Sequence, residues 1–180
     1  MNITEGIKTR RSIRNFKADK VTSEVLADIV SVSTYAPSWK NSQTTRYVAV
    51  LSEDVKNKIA DECTLGFEHN NGIIKNAPAL MVITTVNCRS GYERDGSFTT
   101  SKGTHWQSFD AGIATEAFCL AAHEAGLGTV IMGIFDEAKV KEVIGLPETQ
   151  SVSALVAIGY PDEAPVAPKR KTPEDILSVI

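Results

Sequence analysis

The sequence predicts an α/β fold in which helices pack against a central β-sheet. Apolar residues recur along the chain at two periods, one typical of amphipathic helices and one typical of strands. Residues 79–83 are apolar on both alternations, which indicates a central strand that is covered on both faces. The chain has 180 residues, enough to bury about 70% of its unfolded surface, so we expect a single domain over residues 1–180.

The first half of the chain is predicted to contain two helices and one further strand. Thr22 is a predicted N-cap, and the apolar residues after it keep helical spacing until Pro37 stops the run. Residues 47–51 have the composition of a strand. A second helix is expected over about residues 54–63.

The second half is dominated by a long helix predicted over residues 105–125. Small and apolar residues surround most of its girth, so we expect it to be buried inside the domain or between two subunits. Gly126 is expected to end this helix in a left-handed cap. The later predicted elements are strands over residues 128–134 and 152–158 and short helices that begin at Asp136 and Thr172.

Composition and charge narrow the classes of function. The formal net charge of −3 argues against general nucleic-acid binding, and 42% hydrophobic with 23% charged residues is ordinary for a soluble protein. No apolar run approaches 18 residues, and the N-terminus lacks a signal-peptide core, so we expect a cytoplasmic protein without a membrane span. Three widely spaced cysteines fit reduced thiols better than a disulfide framework; they are Cys63, Cys88 and Cys119.

The usual catalytic and nucleotide-binding motifs are absent from the sequence. The glycines near position 128 miss the dinucleotide-binding pattern because Ile131 stands where the third glycine is needed. Cys119 and His123 lie four residues apart on one helix, but two ligands without companions favour core packing, so no metal site is predicted. If the protein is an enzyme, a cofactor is therefore expected to carry the chemistry.

A dense basic cluster lies near the N-terminus. In an extended segment Arg10, Ser12 and Arg14 would share one face, while Arg11 and Ile13 would point the other way. Guanidinium groups form rigid forks of donors that suit phosphate, and serine adds a small donor. A second basic run covers residues 169–171. Either run alone is also consistent with a solvated surface.

Four segments, in this order along the chain, resemble the nitroreductase family of FMN-dependent NAD(P)H oxidoreductases. They are residues 10–14 (RRSIR), 36–43 (APSWKNSQ), 110–133 (from DAGIA to MG) and 159–171 (from GYP to KRK). Together they extend over nearly the whole chain. The resemblance implies an α/β (α+β) sandwich with a central mixed β-sheet flanked by helices, and an intertwined homodimer with two FMN sites at its interface.

The resemblance also implies which residues bind FMN. Arg10, Ser12 and the late basic residues would hold the phosphate, with Lys169 and Lys171 as the best match to the alternating basic pair of the family and Arg170 as the less favoured member. Charge-assisted hydrogen bonds from both chain ends to one dianion would explain why these residues converge. Arg11 belongs to the same matched segment, although its residue type and position by themselves favour a surface or salt-bridging role.

The remaining implied contacts are to the flavin ring. Arg14 would lie near the pyrimidine edge, where a positive charge favours the anionic reduced flavin. The segment around residue 40 would reach the flavin across the dimer interface, and the turn at residue 133 would approach the ring near N5. The residues assigned in this way are Pro37, Ser38, Trp39, Asn41, Gln43, Asn70, Met132 and Gly133.

The implied reaction is a ping-pong transfer of reducing equivalents from NADH or NADPH, through the flavin, to a small-molecule acceptor such as a nitroaromatic compound or a quinone. No separate catalytic residue is predicted, because the flavin carries the chemistry. Two alternatives stay open: a flavin-binding sensor or storage module without turnover, and a divergent member that performs dehalogenation or flavin fragmentation. The polar 87–103 loop is expected to shape the substrate pocket.

Overall fold

The computed structural model describes residues 2–180 and has a four-stranded β-sheet at its centre. The strands are β1 (Thr45–Val50), β2 (Ala79–Val86), β3 (Gly128–Met132) and β4 (Gln150–Gly159), and their order in the sheet is β1-β2-β4-β3. All three ladders are antiparallel. The parallel component of the predicted mixed sheet is limited to an isolated bridge between Ser12 and Thr129, which attaches the N-terminal segment to β3.

Helices cover both faces of this sheet, as predicted. They are α1 (Ile3–Thr9), α2 (Ser23–Ser33), α3 (Glu53–Cys63), α4 (Glu68–Asn76), α5 (His105–Glu124), α6 (Glu137–Ile144) and α7 (Pro173–Ile176), with a 3₁₀ turn at Trp39–Asn41. Helices α1 and α4 were not predicted from the sequence. Helices α3, α5 and α6 lie within one or two residues of their expected bounds, whereas α2 ends at Ser33, before the Pro37 that was expected to stop it.

Local capping explains where several helices begin and end. The Thr22 side chain accepts a hydrogen bond from the Val25 N–H at 3.4 Å, which confirms the predicted N-cap of α2. Gly126 has φ of +80° and ends α5 in the predicted left-handed conformation. The N–H groups of Gly126 and Leu127 donate to the carbonyls of His123 and Ala122, which is the Schellman pattern.

The core is split by the sheet into two apolar clusters. Strand β2 is buried from Ala79 to Thr85 and contributes to both clusters, which confirms its prediction as a central strand. One face packs on α3, α4 and α6 through residues such as Ile59, Ile74, Val82 and Val140. The opposite face packs on α2 and α5 through residues such as Leu26, Ile83, Phe118 and Val156.

Helix α5 is buried unevenly along its length. Phe118, Cys119 and Ala122 in its second half are fully buried against the sheet. Phe109 in its first half is 59% exposed, and the neighbouring Gly112 is exposed as well. The half of α5 that precedes Phe118 therefore presents apolar surface that this chain does not cover.

Candidate functional site

The N-terminal basic segment is fixed to the edge of the sheet by its apolar residues. The Ile13 N–H donates to the Thr129 carbonyl at 3.0 Å, and the Ile13 side chain is buried. Ile13 packs so closely on Gly128 that a β-carbon at position 128 would lie 2.5 Å from Ile13 Cγ1. Phe16 is buried beside Pro161, with which it forms a bridge. These anchors hold the polar residues between them at the surface.

The basic residues of both chain ends line one cavity of about 320 Å³. From the N-terminal segment it is lined by Arg10, Arg11, Ser12 and Arg14, and from the C-terminal segment by Pro165, Val166, Pro168 and Arg170. The two ends therefore converge, as the phosphate hypothesis requires. Arg170, the less favoured member of its run, lines the cavity, whereas Lys169 and Lys171 do not. Arg11 lines it too, although simple alternation places this residue on the opposite face.

Acceptors within the chain contact each of the three N-terminal arginines. Arg10 Nε lies 3.4 Å from Glu116 Oε1 on α5. An Arg11 guanidinium nitrogen donates to the carbonyls of Lys8 and Arg10 at 2.8 and 2.7 Å, at the end of α1. An Arg14 guanidinium nitrogen donates to the Ser12 carbonyl at 3.3 Å.

The cavity has the chemistry of a phosphate site. Among the described residues that line it, four carry guanidinium groups and none is acidic. Arg10 Nε is buried and makes no hydrogen bond, although it lies within ion-pair distance of Glu116. A dianionic phosphate satisfies such a donor set through charge-assisted hydrogen bonds. The residues present therefore fit the phosphate of FMN.

The predicted flavin loop at residues 37–43 is strained and tightly held. Lys40, Asn41 and Gln43 have φ of +46°, +54° and +47°, an arrangement that residues other than glycine rarely adopt. The buried Asp110 carboxylate accepts a hydrogen bond from the Trp39 N–H at 3.0 Å. Ser38 Oγ accepts one from the Gln43 N–H at 2.9 Å. The strain is thus maintained by contacts from α5 and from within the loop.

Aromatic and charged contacts join this loop to the 87–103 loop. The rings of Trp39 and Trp106 lie 4.7 Å apart, and Lys40 Nζ lies 3.2 Å from Glu93 Oε1. Trp106 Nε1 donates to Thr100 Oγ1 at 2.9 Å. The 87–103 loop therefore packs beside the predicted flavin loop, where it can shape a ligand pocket.

Another group of predicted ring contacts meets at the end of β3. The Asn70 side chain, from α4, is buried and donates to the Ile134 carbonyl at 3.4 Å. Asn70 is thus held beside the turn that contains Met132 and Gly133, of which Met132 is buried and Gly133 is exposed. A β-carbon at Gly133 would contact nothing within 4 Å, so packing inside this chain does not require glycine there.

The predicted site residues therefore fall into three groups. The cavity of about 110 Å³ lined by Pro37, Ser38 and Gln43 shares no lining residue with the arginine cavity. Asn70, Met132 and Gly133 form the third group at the end of β3. The structure brings Arg10, Ser12 and Arg170 of the two chain ends to one cavity, and it does not bring residues 37–43 of the same chain there.

Two structurally important residues were missed from the sequence. Asp110 supports the flavin loop, and Glu163 accepts hydrogen bonds from the Arg14–Asn15 segment. Asp110 lies in a helix whose small residues predicted burial. An acidic residue in a helix that is expected to be buried was the signal that could have identified it. Glu163 lies in an irregular segment where no periodicity indicates what a side chain contacts.

The cysteines and histidines do not assemble into a metal centre in residues 2–180, where no three His, Cys, Asp or Glu side chains converge suitably. Burial raises the pKa of the Cys63 thiol to about 11 and also raises the pKa of Cys119. His123 Nε2 lies 2.9 Å from Thr9 Oγ1. Across the same described residues, no helix combines the length and apolar character needed to cross a membrane.

Comparison with known proteins gives consistent matches over most of the chain. The family model described as "Nitroreductase family" matches residues 7–160. The NADPH-flavin oxidoreductase of Vibrio harveyi is 28% identical over 172 residues, which cover 91% of this chain and 68% of that protein.

Solved structures give the same result. A nitroreductase family protein from Clostridium novyi NT has a TM-score of 0.78 and 29% sequence identity. The match covers 91% of this chain and 87% of the Clostridium novyi chain. An FMN-dependent nitroreductase from Clostridium difficile R20291 has a TM-score of 0.73 and 26% identity, with coverage of 97% and 94%. The match of the family model over 154 of the 180 residues, from 7 to 160, establishes membership. This chain belongs to the nitroreductase family.

Proposed function

We propose that residues 1–180 form a single FMN-binding domain that takes reducing equivalents from NADH or NADPH and passes them to a small-molecule acceptor by a ping-pong mechanism. The observation that carries this proposal is the convergence of Arg10, Arg11, Ser12, Arg14 and Arg170 on one cavity. FMN held by these residues would supply the redox chemistry of hydride transfer from the nicotinamide and reduction of the acceptor. The protein's own contribution is to bind, orient and tune this cofactor.

The arginine cavity would bind the phosphate of FMN, with Ser12 as the small hydroxyl donor. Lys169 and Lys171 do not line the cavity, so their proposed role is reduced to a more distant positive field. Arg14 is exposed and lies at the end of the cavity-lining segment, which supports its assignment to the pyrimidine edge of the ring. A positive charge there would raise the reduction potential of the flavin.

We propose that two copies of the chain form a homodimer that completes each site. Pro37, Ser38 and Gln43 of this loop and the arginines of the same chain line different cavities, which supports a contribution of the loop to the partner's site. Exposed apolar side chains support the same assembly. They include Tyr35, Leu177 and Val179, with exposed fractions of 89%, 66% and 89%.

The acceptor would be bound at the aromatic rim formed by Trp39, Trp106 and Phe109. The rings of Trp106 and Phe109 lie 5.5 Å apart, and Phe109 is open to solvent. Such a surface favours a planar acceptor such as a nitroaromatic compound or a quinone, because flat rings stack well on aromatic faces. The adjacent 87–103 loop would limit the size of the acceptor.

The test is a visible spectrum of the purified protein after incubation with FMN, followed by anaerobic titration with NADH and NADPH. We expect the flavin bands to appear with the protein and to bleach with at least one nicotinamide. A protein that stays colourless after incubation would contradict the cofactor assignment. Bound flavin that stays oxidised with both nicotinamides would leave a binding module without turnover and would refute the oxidoreductase proposal.

A further inference from the structure

Glu163 connects two segments that are remote in the chain and adjacent at the arginine cavity. Its Oε1 accepts hydrogen bonds from the backbone N–H groups of Arg14 and Asn15, the latter at 3.1 Å. Its Oε2 accepts a third hydrogen bond from Asn15 Nδ2 at 3.1 Å. One carboxylate thus satisfies three donors of the N-terminal segment, at residues nearly 150 positions away.

Backbone contacts join the same two segments next to Glu163. The Lys17 N–H donates to the Tyr160 carbonyl at 2.9 Å, and the Asp162 N–H donates to the Asn15 carbonyl at 3.0 Å. Beyond these contacts the two segments separate and form the two walls of the cavity. One wall is Arg10–Arg14 and the other is Pro165–Arg170. Among residues 2–180, Glu163 is the residue nearest the cavity whose side chain hydrogen-bonds one wall to the other.

Electrostatics alone would disfavour a carboxylate at this place. Glu163 lines an adjoining cavity of about 380 Å³ together with Arg10 and Arg11, so its negative charge lies close to the proposed phosphate site. Hydrogen bonds from the Arg14 backbone lower the pKa of the Glu163 carboxyl, so the group is ionised near neutral pH. Its field opposes an incoming dianion. A favourable contribution to cofactor binding must then come from the position of the donors.

We propose that Glu163 is a positioning residue that holds the Arg10–Arg14 wall against the Pro165–Arg170 wall so that their donors converge on one phosphate. This inference rests on the proposed function. Glu163 itself does not contact the phosphate in this proposal. It acts through the backbone of Arg14 and Asn15, whose N–H groups it orders through charge-assisted hydrogen bonds.

A competing role for Glu163 predicts the opposite result. Adjacent backbone N–H groups can bind anions, and Glu163 would then act as a stand-in that competes with phosphate for the donors of Arg14 and Asn15. Removing a competitor strengthens FMN binding, and removing a positioning residue weakens it. The sign of the change in FMN affinity therefore decides between the two roles.

The experiment compares three variants of the full chain: Glu163→Ala, Glu163→Gln and Asp162→Asn. Glu163→Ala removes the accepting oxygens. Glu163→Gln removes the same charge but keeps an oxygen that can accept from the two backbone N–H groups. Asp162→Asn is the matched control, because it removes one negative charge at the next position and leaves the Asp162 backbone contact intact.

Affinity is measured by titration of flavin-free protein with FMN and, separately, with riboflavin, which lacks the phosphate. We expect Glu163→Ala to raise the FMN dissociation constant at least about tenfold, equivalent to about 1.4 kcal/mol, and to affect riboflavin less. Glu163→Gln should recover most of this loss, and Asp162→Asn should bind FMN as the unmodified chain does or more tightly. Unchanged or tighter FMN binding by Glu163→Ala, or equal weakening by Glu163→Ala and Glu163→Gln, would overturn the proposal.

Hydrogen exchange of the flavin-free protein provides a readout that does not depend on the cofactor. The amides of Arg14 and Asn15 should be protected in the unmodified chain and in Asp162→Asn, and should exchange about tenfold faster or more in Glu163→Ala. Equal protection in all of these proteins would refute the positioning role. If the unmodified chain binds no FMN, the proposed function fails, and the exchange data still test the connection made by Glu163.

Discussion

Replacing Arg170 by alanine is expected to weaken FMN binding about tenfold. Arg170 lines the cavity opposite the N-terminal arginines, and hydrogen bonds to charged groups contribute about 1.5–3 kcal/mol, which corresponds to about 10- to 150-fold in affinity. Arg170 is exposed, so solvent screening places its contribution at the lower end of that range.

The neighbouring lysines supply matched controls for this prediction. Lys169→Ala and Lys171→Ala remove the same charge from the same segment, but neither lysine lines the cavity, so we expect changes in FMN affinity below about threefold. The assay is quenching of flavin fluorescence during titration, with riboflavin as the probe without phosphate. The reasoning would be refuted if Lys171→Ala weakened FMN binding more than Arg170→Ala did, or if Arg170→Ala weakened riboflavin binding equally.

Three further outcomes are expected. Asp110→Ala should destabilise the protein by about 1–3 kcal/mol, because it leaves the Trp39 N–H without an acceptor. Asp110→Asn keeps an oxygen and should destabilise it less. Urea unfolding followed by tryptophan fluorescence measures the free energy of unfolding of both variants. Gly128→Ala should lower stability by about 1–3 kcal/mol and weaken FMN binding, because the new β-carbon displaces Ile13, and equal melting temperatures would contradict this. With a thiol reagent at pH 8 the exposed Cys88 should react quickly and the two buried thiols only after unfolding; fast reaction of all three would show that the core opens more readily than its packing indicates.

The sequence predicted the elements whose periodicity is strong. Strand β2 is apolar on both alternations and α5 is apolar around most of its girth, so burial was evident without knowledge of the fold. Helix α4 gave no comparable signal. Its N-cap, Phe67, makes no side-chain capping hydrogen bond, and the helix contains several asparagines and Gly72, which have low helix propensity. Packing of Ile73 and Ile74 in the core compensates for these local preferences.

The sequence indicated which two segments would form the candidate site, but it did not indicate which side chains of those segments would line the cavity. Both basic runs were evident, and the structure brings both to one cavity. The resemblance favours Lys169 and Lys171 as phosphate ligands, whereas Arg170 lines the cavity; this segment has no regular secondary structure, so its sequence does not report which side chain faces inward. Arg11 was placed on the wrong face for a related reason: its guanidinium turns back to the carbonyls that end α1.

The arginine cavity illustrates how a group of like charges is held together. Four guanidinium groups around about 320 Å³ repel one another, yet each N-terminal arginine has an acceptor within the chain. Arg10 lies against Glu116, the Arg11 guanidinium is bonded to the Lys8 and Arg10 carbonyls, and the Arg14 guanidinium is bonded to the Ser12 carbonyl. These contacts fix the cations and moderate their repulsion without occupying the cavity. Because a bound dianion would remove the repulsion that is left, cofactor binding and the stability of both chain ends are thermodynamically linked.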